Sequence, residues 1–123
     1  MRLSGKARFF LLLSLLLTIL ACSHNETVRN LKLNHQDLLI DVRTPGEFDR
    51  GHLAGALNIP YTEIDKRIGD YTQNKQTRIV VYCRSGQRSA IARDTLVKMG
   101  YSQVINAGSY NKLKELGLQR PGK

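Results

Sequence analysis

The chain has 123 residues, of which 19 are Lys or Arg and 10 are Asp or Glu, giving a formal net charge of +9. This length suits one small domain that buries roughly 60–65% of the surface of its unfolded chain. The positive charge favours anionic partners in general. The basic residues are mixed with acidic ones and form no aromatic-interleaved stripe or nucleic-acid motif, so the composition does not predict a nucleic-acid-binding protein.

Residues 1–21 have the pattern of a secretory signal peptide. Three basic residues precede an apolar stretch at residues 9–20, and the small Ala21 follows it. The stretch is short for a membrane span, although an uncleaved signal anchor is the alternative. Without residues 1–21 the chain keeps 16 basic residues against 10 acidic ones, a net charge near +6.

The segment Ile19-Leu20-Ala21-Cys22 resembles the lipobox of bacterial lipoproteins, in which the cysteine is acylated and becomes the new N-terminus. Ser23, not aspartate, follows Cys22, so the resemblance implies sorting to an outer membrane where the cell has one. Cleavage by ordinary signal peptidase, which gives a soluble periplasmic protein, is the alternative. The sequence thus predicts a lipidated Cys22 and a polar tether over residues 22–32.

Residues 33–123 form the predicted domain, in which short apolar runs alternate with helical patterns. A capping box with a proline at the first helical position, Thr44-Pro45-Gly46-Glu47, follows the first run. We expect strands at residues 38–42, 56–59, 78–82 and 103–105, and later helices at residues 62–69, 89–99 and 109–116. This alternation predicts a parallel α/β sheet flanked by helices, with its functional site at the carboxyl ends of the strands.

The segment Cys83-Arg84-Ser85-Gly86-Gln87-Arg88-Ser89 lies between a buried strand and a helical pattern. Such a turn directs backbone N–H groups and the positive end of the helix dipole at one point, which favours an anion and lowers the pKa of a thiol. Arg84 and Arg88 add positive charge to the same place. The pattern predicts a reactive thiolate at Cys83, in preference to an inert core cysteine.

Cysteine usage supports the same interpretation. The chain has two cysteines, and acylation or removal of Cys22 would leave Cys83 unpaired in an oxidising compartment. Catalysis is a reason to keep such a thiol. A disulfide between Cys22 and Cys83 is the structural alternative.

Two motifs, in residues 38–60 and in the Cys83 loop, together resemble the rhodanese-like sulfurtransferases, in particular the small single-domain periplasmic kind. The resemblance covers residues 37–116. It implies transfer of sulfur from thiosulfate to cyanide or a thiol acceptor through a Cys83 persulfide, in a monomer without a cofactor. One departure is Asn106-Ala107-Gly108-Ser109, which stands where the family more usually has paired glycines.

Several site roles follow for the individual residues. We assign Arg84 and Arg88 to anion binding, with the N–H groups of residues 84–89 stabilising the persulfide; alternatively, Arg88 braces the loop. Asp41 and Arg43 resemble the family's Asp-x-Arg at the rim of the site. We expect Asp41 to hold the loop in place, and Arg43 to add positive field or to pair with Glu47.

Loop length separates this chemistry from its competitors. Cys83 to Arg88 spans six residues, whereas the related cell-cycle phosphatases and arsenate reductases use one residue more, and Tyr82 replaces the phosphatases' histidine. A rhodanese-like binding or redox module is the other alternative. His52 is expected to be a hydrogen-bonded structural group. His24 and His35 form no metal-ligand cluster with Cys83, so no metal is predicted.

Overall fold

The computed structural model describes residues 27–122. Residues 27–29 are helical and belong to a unit that ends at Leu31, while a second compact unit begins at Lys32. The predicted signal peptide and the predicted lipidation site Cys22 lie outside the described residues and stay predictions. No helix within residues 27–122 is both long enough and apolar enough to cross a membrane.

Four parallel strands form the sheet: β1 (Leu38–Asp41), β2 (Leu57–Asn58), β3 (Ile79–Cys83) and β4 (Val104–Ser109), in the spatial order β2-β1-β3-β4. Every residue of the two central strands, β1 and β3, is buried. Burial on both faces explains why these strands are continuous apolar runs instead of alternating patterns.

Three helices connect these strands: α1 (Pro45–Asp49), α2 (Ile64–Arg67) with a 3-10 turn (Ile68–Asp70), and α3 (Gln87–Lys98). A fourth, α4 (Tyr110–Glu115), follows β4. The main core lies where α2, its 3-10 turn and α3 pack on one face of β1 and β3. Its fully buried members include Ile40, Val81, Ile64, Ile68, Ala92 and Leu96. The predicted single α/β domain with a parallel sheet and flanking helices is confirmed.

Several predicted boundaries differ from the structure by one or two residues, and two differences bear on the Cys83 loop. The predicted strand at residues 103–105 extends to Ser109, because the register shifts so that Val81 pairs with Asn106 and Tyr82 with Gly108. Ala107 is the extra residue of this irregularity, which lets pairing continue past a polar residue. The helix predicted at residues 89–99 starts two residues earlier, at Gln87.

The predicted capping box is confirmed. The Glu47 backbone N–H donates to Thr44 Oγ1 at 3.2 Å, and the Thr44 N–H donates to Glu47 Oε1 at 3.4 Å, with Pro45 in the first turn. This cap fixes the start of α1 directly after the turn that follows β1. It therefore also places the Glu47 carboxylate near the carboxyl end of the sheet.

Candidate active site

The loop after β3 places a thiol beneath the start of a three-turn helix. Cys83 is the last residue of β3 and is fully buried, and α3 begins four residues later. Gly86, at the N-cap of α3, has a φ of 96°, which a side chain would strain. A Cβ there would also lie 3.4 Å from the Cα of Gly108. Glycine at position 86 thus allows the chain to turn tightly around the sulfur.

Hydrogen-bond donors converge on the sulfur of Cys83. The Gly86 N–H donates to Sγ at 3.0 Å, and the Ser89 hydroxyl lies 3.4 Å from it. Burial alone would raise the pKa of the Cys83 thiol, but hydrogen bonds from the Ser89 side chain and from the N–H groups of Ser89, Gly86 and Ser85 outweigh it and lower the pKa. The direction is the predicted one. Its main cause, however, is the set of hydrogen bonds.

Arg88 pairs with Glu47 and so braces the loop. Its Nη1 and Nη2 donate to the two carboxylate oxygens of Glu47 at 2.8 and 3.0 Å, a bidentate ion pair that joins α3 to α1. Hydrogen bonds from Arg88, with those from Thr44, lower the pKa of Glu47 to about 2, so the pair stays ionised at neutral pH. The predicted alternative of a bracing role for Arg88 therefore fits the geometry, and Arg43 is not the partner of Glu47.

Arg84 has a different environment. It is exposed, and within residues 27–122 it takes part in no ion pair. It lines a cleft of about 260 Å³ at the carboxyl end of the sheet, together with Arg43, Glu47, Arg50, Gly51, Tyr110 and Asn111. Ser85 and Gln87 of the same loop are exposed as well. Arg84 is thus the loop's available cation for an anion that enters from solvent.

The carboxylate of Asp41 is occupied by its own turn. It accepts bonds from Arg43 Nε at 3.0 Å, from Arg43 Nη2 at 2.7 Å and from the Arg43 backbone N–H at 2.9 Å. Arg43 Nη2 also donates to the carbonyl of Gly51, and its guanidinium lies 4.4 Å from the centroid of the Tyr110 ring. These contacts give Asp41 and Arg43 a structural role: they tie the turn after β1 to the rim of the cleft.

Tyr82 and His52 both serve the packing of the loop after α1. The buried hydroxyl of Tyr82 accepts the Leu53 N–H at 3.1 Å. The His52 ring stacks on half-buried Phe48 with centroids 3.6 Å apart, and its Nδ1 lies 2.9 Å from the Phe48 carbonyl oxygen. His52 is therefore hydrogen-bonded and structural, as predicted.

Asn106 is a site residue whose role the sequence did not reveal. Its Oδ1 accepts from the Ser89 hydroxyl at 2.7 Å and from the Gly108 N–H at 3.1 Å, while its Nδ2 donates to the Gly86 carbonyl at 3.1 Å. It thereby contacts Ser89 and Gly86, two of the residues whose donors reach Cys83 Sγ. The available signal was a polar residue inside the otherwise apolar run Val104-Ile105-Asn106-Ala107, since a polar side chain in a strand needs a partner.

The fold and the site together define the class of the protein as a parallel α/β domain with a buried, hydrogen-bonded thiol in a strand-to-helix loop. The model of the Rhodanese-like domain family matches residues 23–116, so the chain belongs to the rhodanese-like sulfurtransferase family.

Relatives and solved structures agree with this assignment. The chain is 38% identical over 81 residues to thiosulfate sulfurtransferase PspE of Escherichia coli, which covers 66% of this chain and 75% of PspE. It is 37% identical over 68 residues to the putative sulfur carrier protein YrkF of Bacillus subtilis, covering 55% of this chain but only 36% of YrkF. A solved rhodanese with anions from E. coli superposes with a TM-score of 0.59 at 39% identity, covering 61% of this chain and 88% of that one.

Proposed function

We propose that this protein is a thiosulfate sulfurtransferase that transfers sulfur from thiosulfate to cyanide or to a thiol, through a persulfide on Cys83. The observation that supports this most strongly is the set of donors around Cys83 Sγ, which stabilises a thiolate. The resemblance to proteins named thiosulfate sulfurtransferase supports the same donor.

The proposed reaction has two displacement steps. In the first, the Cys83 thiolate attacks the outer sulfur of thiosulfate; an Sγ–S bond forms, the S–S bond of thiosulfate breaks, and its electron pair leaves with sulfite. The product is a Cys83 persulfide anion. In the second step, cyanide or a thiolate attacks the outer sulfur, and the Sγ–S electron pair returns to Cys83. Neither step needs a proton from the protein.

The loop residues have different proposed roles. Arg84 binds the sulfite portion of thiosulfate at the cleft, because it is the exposed cation of the loop. The N–H groups of residues 84–89, including those of exposed Ser85 and Gln87, stabilise the anionic outer sulfur of the persulfide. Arg88 contributes through its ion pair with Glu47, which holds the loop in place.

The test is sulfur loading and turnover by Cys83→Ser. Because a serine hydroxyl is a far weaker nucleophile for sulfur, the variant should neither gain the mass of one sulfur atom from thiosulfate nor form thiocyanate, while its thermal unfolding stays cooperative. Ser102→Ala, an exposed substitution remote from the loop, is the control and should behave as wild type. Thiocyanate formation by Cys83→Ser at the wild-type rate, or phosphatase turnover by the wild type above its sulfur transfer, contradicts the proposal.

A sulfur carrier is the second candidate function. It is favoured by the full burial of Cys83 and by the resemblance to a putative sulfur carrier protein. A carrier would load one sulfur per chain and release it only to a partner protein. Many thiocyanate molecules formed per chain in the cyanide assay support the enzyme, whereas a single one supports the carrier.

We also propose that the protein is exported, acts as a monomer in the periplasm and is anchored to the outer membrane through an acylated Cys22, with soluble periplasmic protein as the alternative. The support is the signal-peptide pattern followed by Ile19-Leu20-Ala21-Cys22. Cys22→Ser should release the protein from the membrane fraction or block its maturation. Wild-type protein found only in the soluble periplasmic fraction contradicts the anchor.

A further inference from the structure

The hydroxyl proton of Ser89 has two competing acceptors. Ser89 is fully buried, and its Oγ lies 2.7 Å from Asn106 Oδ1 and 3.4 Å from Cys83 Sγ. A serine hydroxyl has a single hydrogen, so it donates to only one of these atoms at a time. Its burial also leaves no room for solvent to replace the lost bond.

The orientation of the Asn106 amide is fixed by backbone groups. The Gly108 N–H can only donate, so it requires Oδ1, and the Gly86 carbonyl can only accept, so it requires Nδ2. Oδ1 is therefore the atom that faces Ser89, and Ser89 must be the donor in their 2.7 Å bond. In this arrangement the Ser89 oxygen remains free to accept a hydrogen from a protonated Cys83 thiol.

The hydrogen bonds that run from Cys83 through Ser89 to Asn106 can therefore all form when Sγ carries no charge. When Sγ is charged, one of them is lost. With a neutral thiol or a persulfide, Ser89 donates to Asn106. With a thiolate, the Ser89 hydrogen is needed at Sγ, and the bond to Asn106 must be given up. We infer that Asn106 is a positioning residue that competes with the Cys83 thiolate for the Ser89 hydrogen and so keeps the thiolate more basic than its loop alone would make it.

This competition has a chemical use. The nucleophilicity of a thiolate falls as its pKa falls, so a thiolate held by every available donor would attack slowly. After sulfur transfer the negative charge lies on the outer sulfur, and the Ser89 hydrogen returns to Asn106. Only this second half of the inference rests on the proposed persulfide chemistry. The effect of Asn106 on the free thiol does not.

The native charged side chains near the thiol are kept in every variant used in the test, and only Asn106→Asp adds a charge. The nearby charged side chains are Arg88, paired with Glu47; Asp41, paired with Arg43; and exposed Arg84. The strand that carries Asn106, β4, has no charged residue. Changes at position 106 to uncharged residues therefore act on the thiol through hydrogen bonds.

The test measures the pKa of Cys83 from the pH dependence of its alkylation by iodoacetamide, read on the Cys83 peptide by mass spectrometry. Asn106→Ala should lower this pKa by about 0.5–1 unit, the size expected for one hydrogen bond of ordinary strength. Asn106→Asp keeps the acceptor, adds a negative charge and should raise the pKa. Both variants lose the bond to the Gly86 carbonyl, so each is the control for the other.

The dependence on Ser89 completes the test. Ser89→Ala should raise the pKa, and adding Asn106→Ala to it should then change nothing further. If Asn106→Ala unfolds, Asn106→Leu replaces it, because leucine is close to asparagine in volume. Asn106→Leu should also lower the pKa of Cys83. A pKa that rises or stays unchanged in Asn106→Ala or Asn106→Leu overturns the inference, because Asn106 would then only brace the loop. Failure of the wild type to load sulfur would instead contradict the proposed function.

Discussion

The turn after β1 and the loop after β3 lie side by side at the carboxyl edge of the sheet, but they use their polar groups differently. Asp41 and Tyr82 are register partners, so the two segments begin at the same level. In the turn after β1, the Asp41 carboxylate is matched by three donors of Arg43. In the loop after β3, donors point at a sulfur atom that carries a proton or a charge according to its chemical state.

The difference shows that one edge of the sheet holds two kinds of polar residue: those that stabilise the fold and those proposed to take part in the reaction. The Asp41–Arg43 pair is nearly dry, with side chains 0% and 7% exposed, and all its charge is neutralised locally. The loop after β3 neutralises one of its arginines, Arg88, and leaves the other, Arg84, open to the cleft. Residues of the first segment should therefore affect stability most, and unpaired residues of the second should affect chemistry most.

Asp41→Asn is expected to give the largest loss of stability. It leaves the buried guanidinium of Arg43 without its countercharge, and removing one member of a buried pair costs about 3–5 kcal/mol. The free energy of unfolding, measured in urea at neutral pH, should fall by that amount. Glu63→Gln is the matched control, because the Arg67–Glu63 pair is 40% and 51% exposed, and its loss should cost only about 0.3–0.5 kcal/mol. A loss below ~1 kcal/mol for Asp41→Asn would contradict the view that residues of the turn after β1 affect stability most.

The features that could be predicted from the sequence depend on a short local pattern or on a general rule of parallel sheets. The capping box at Thr44 and Glu47 is a four-residue pattern, and it forms as expected. The nearness of Asp41 and Cys83 follows from the rule that parallel strands end at one edge, although the two residues are 42 positions apart. The hydrogen-bonded role of His52 also follows from its position in a packing motif.

The features that could not be predicted depend on pairing between distant segments. Glu47 pairs with Arg88, which lies 41 residues later in the sequence. No local pattern selects Arg88 over Arg84 or Arg43 as the partner of Glu47. Asn106 reaches Ser89 and Gly86, 17 and 20 residues away in the sequence, because β4 pairs with β3 in a register that places Asn106 opposite Val81. That register is set by pairing between two strands, so the sequence of β4 alone does not show the contact.

The two arginines of the Cys83 loop give a smaller but more specific prediction. Arg84→Ala should slow sulfur loading from thiosulfate by about 10-fold, since a charge-assisted hydrogen bond contributes ~1.5–3 kcal/mol and 1.4 kcal/mol is tenfold. Loading from an uncharged sulfane-sulfur donor should change little, and the unfolding midpoint should stay at the wild-type value. Arg93→Ala, which removes an arginine of α3 that pairs with Asp94, is the control for net charge.

Arg88→Ala should show the opposite pattern, and this contrast is what makes the experiment decisive. Its loss leaves the Glu47 carboxylate unpaired and frees the start of α3 from α1, so the unfolding midpoint should fall. Loading should slow for both donors to a similar extent, because the loop around Sγ loosens whatever the charge of the donor. If instead Arg88→Ala selectively slows thiosulfate while Arg84→Ala has no effect, Arg88 must leave Glu47 to bind substrate, and the division of roles between the two arginines is reversed.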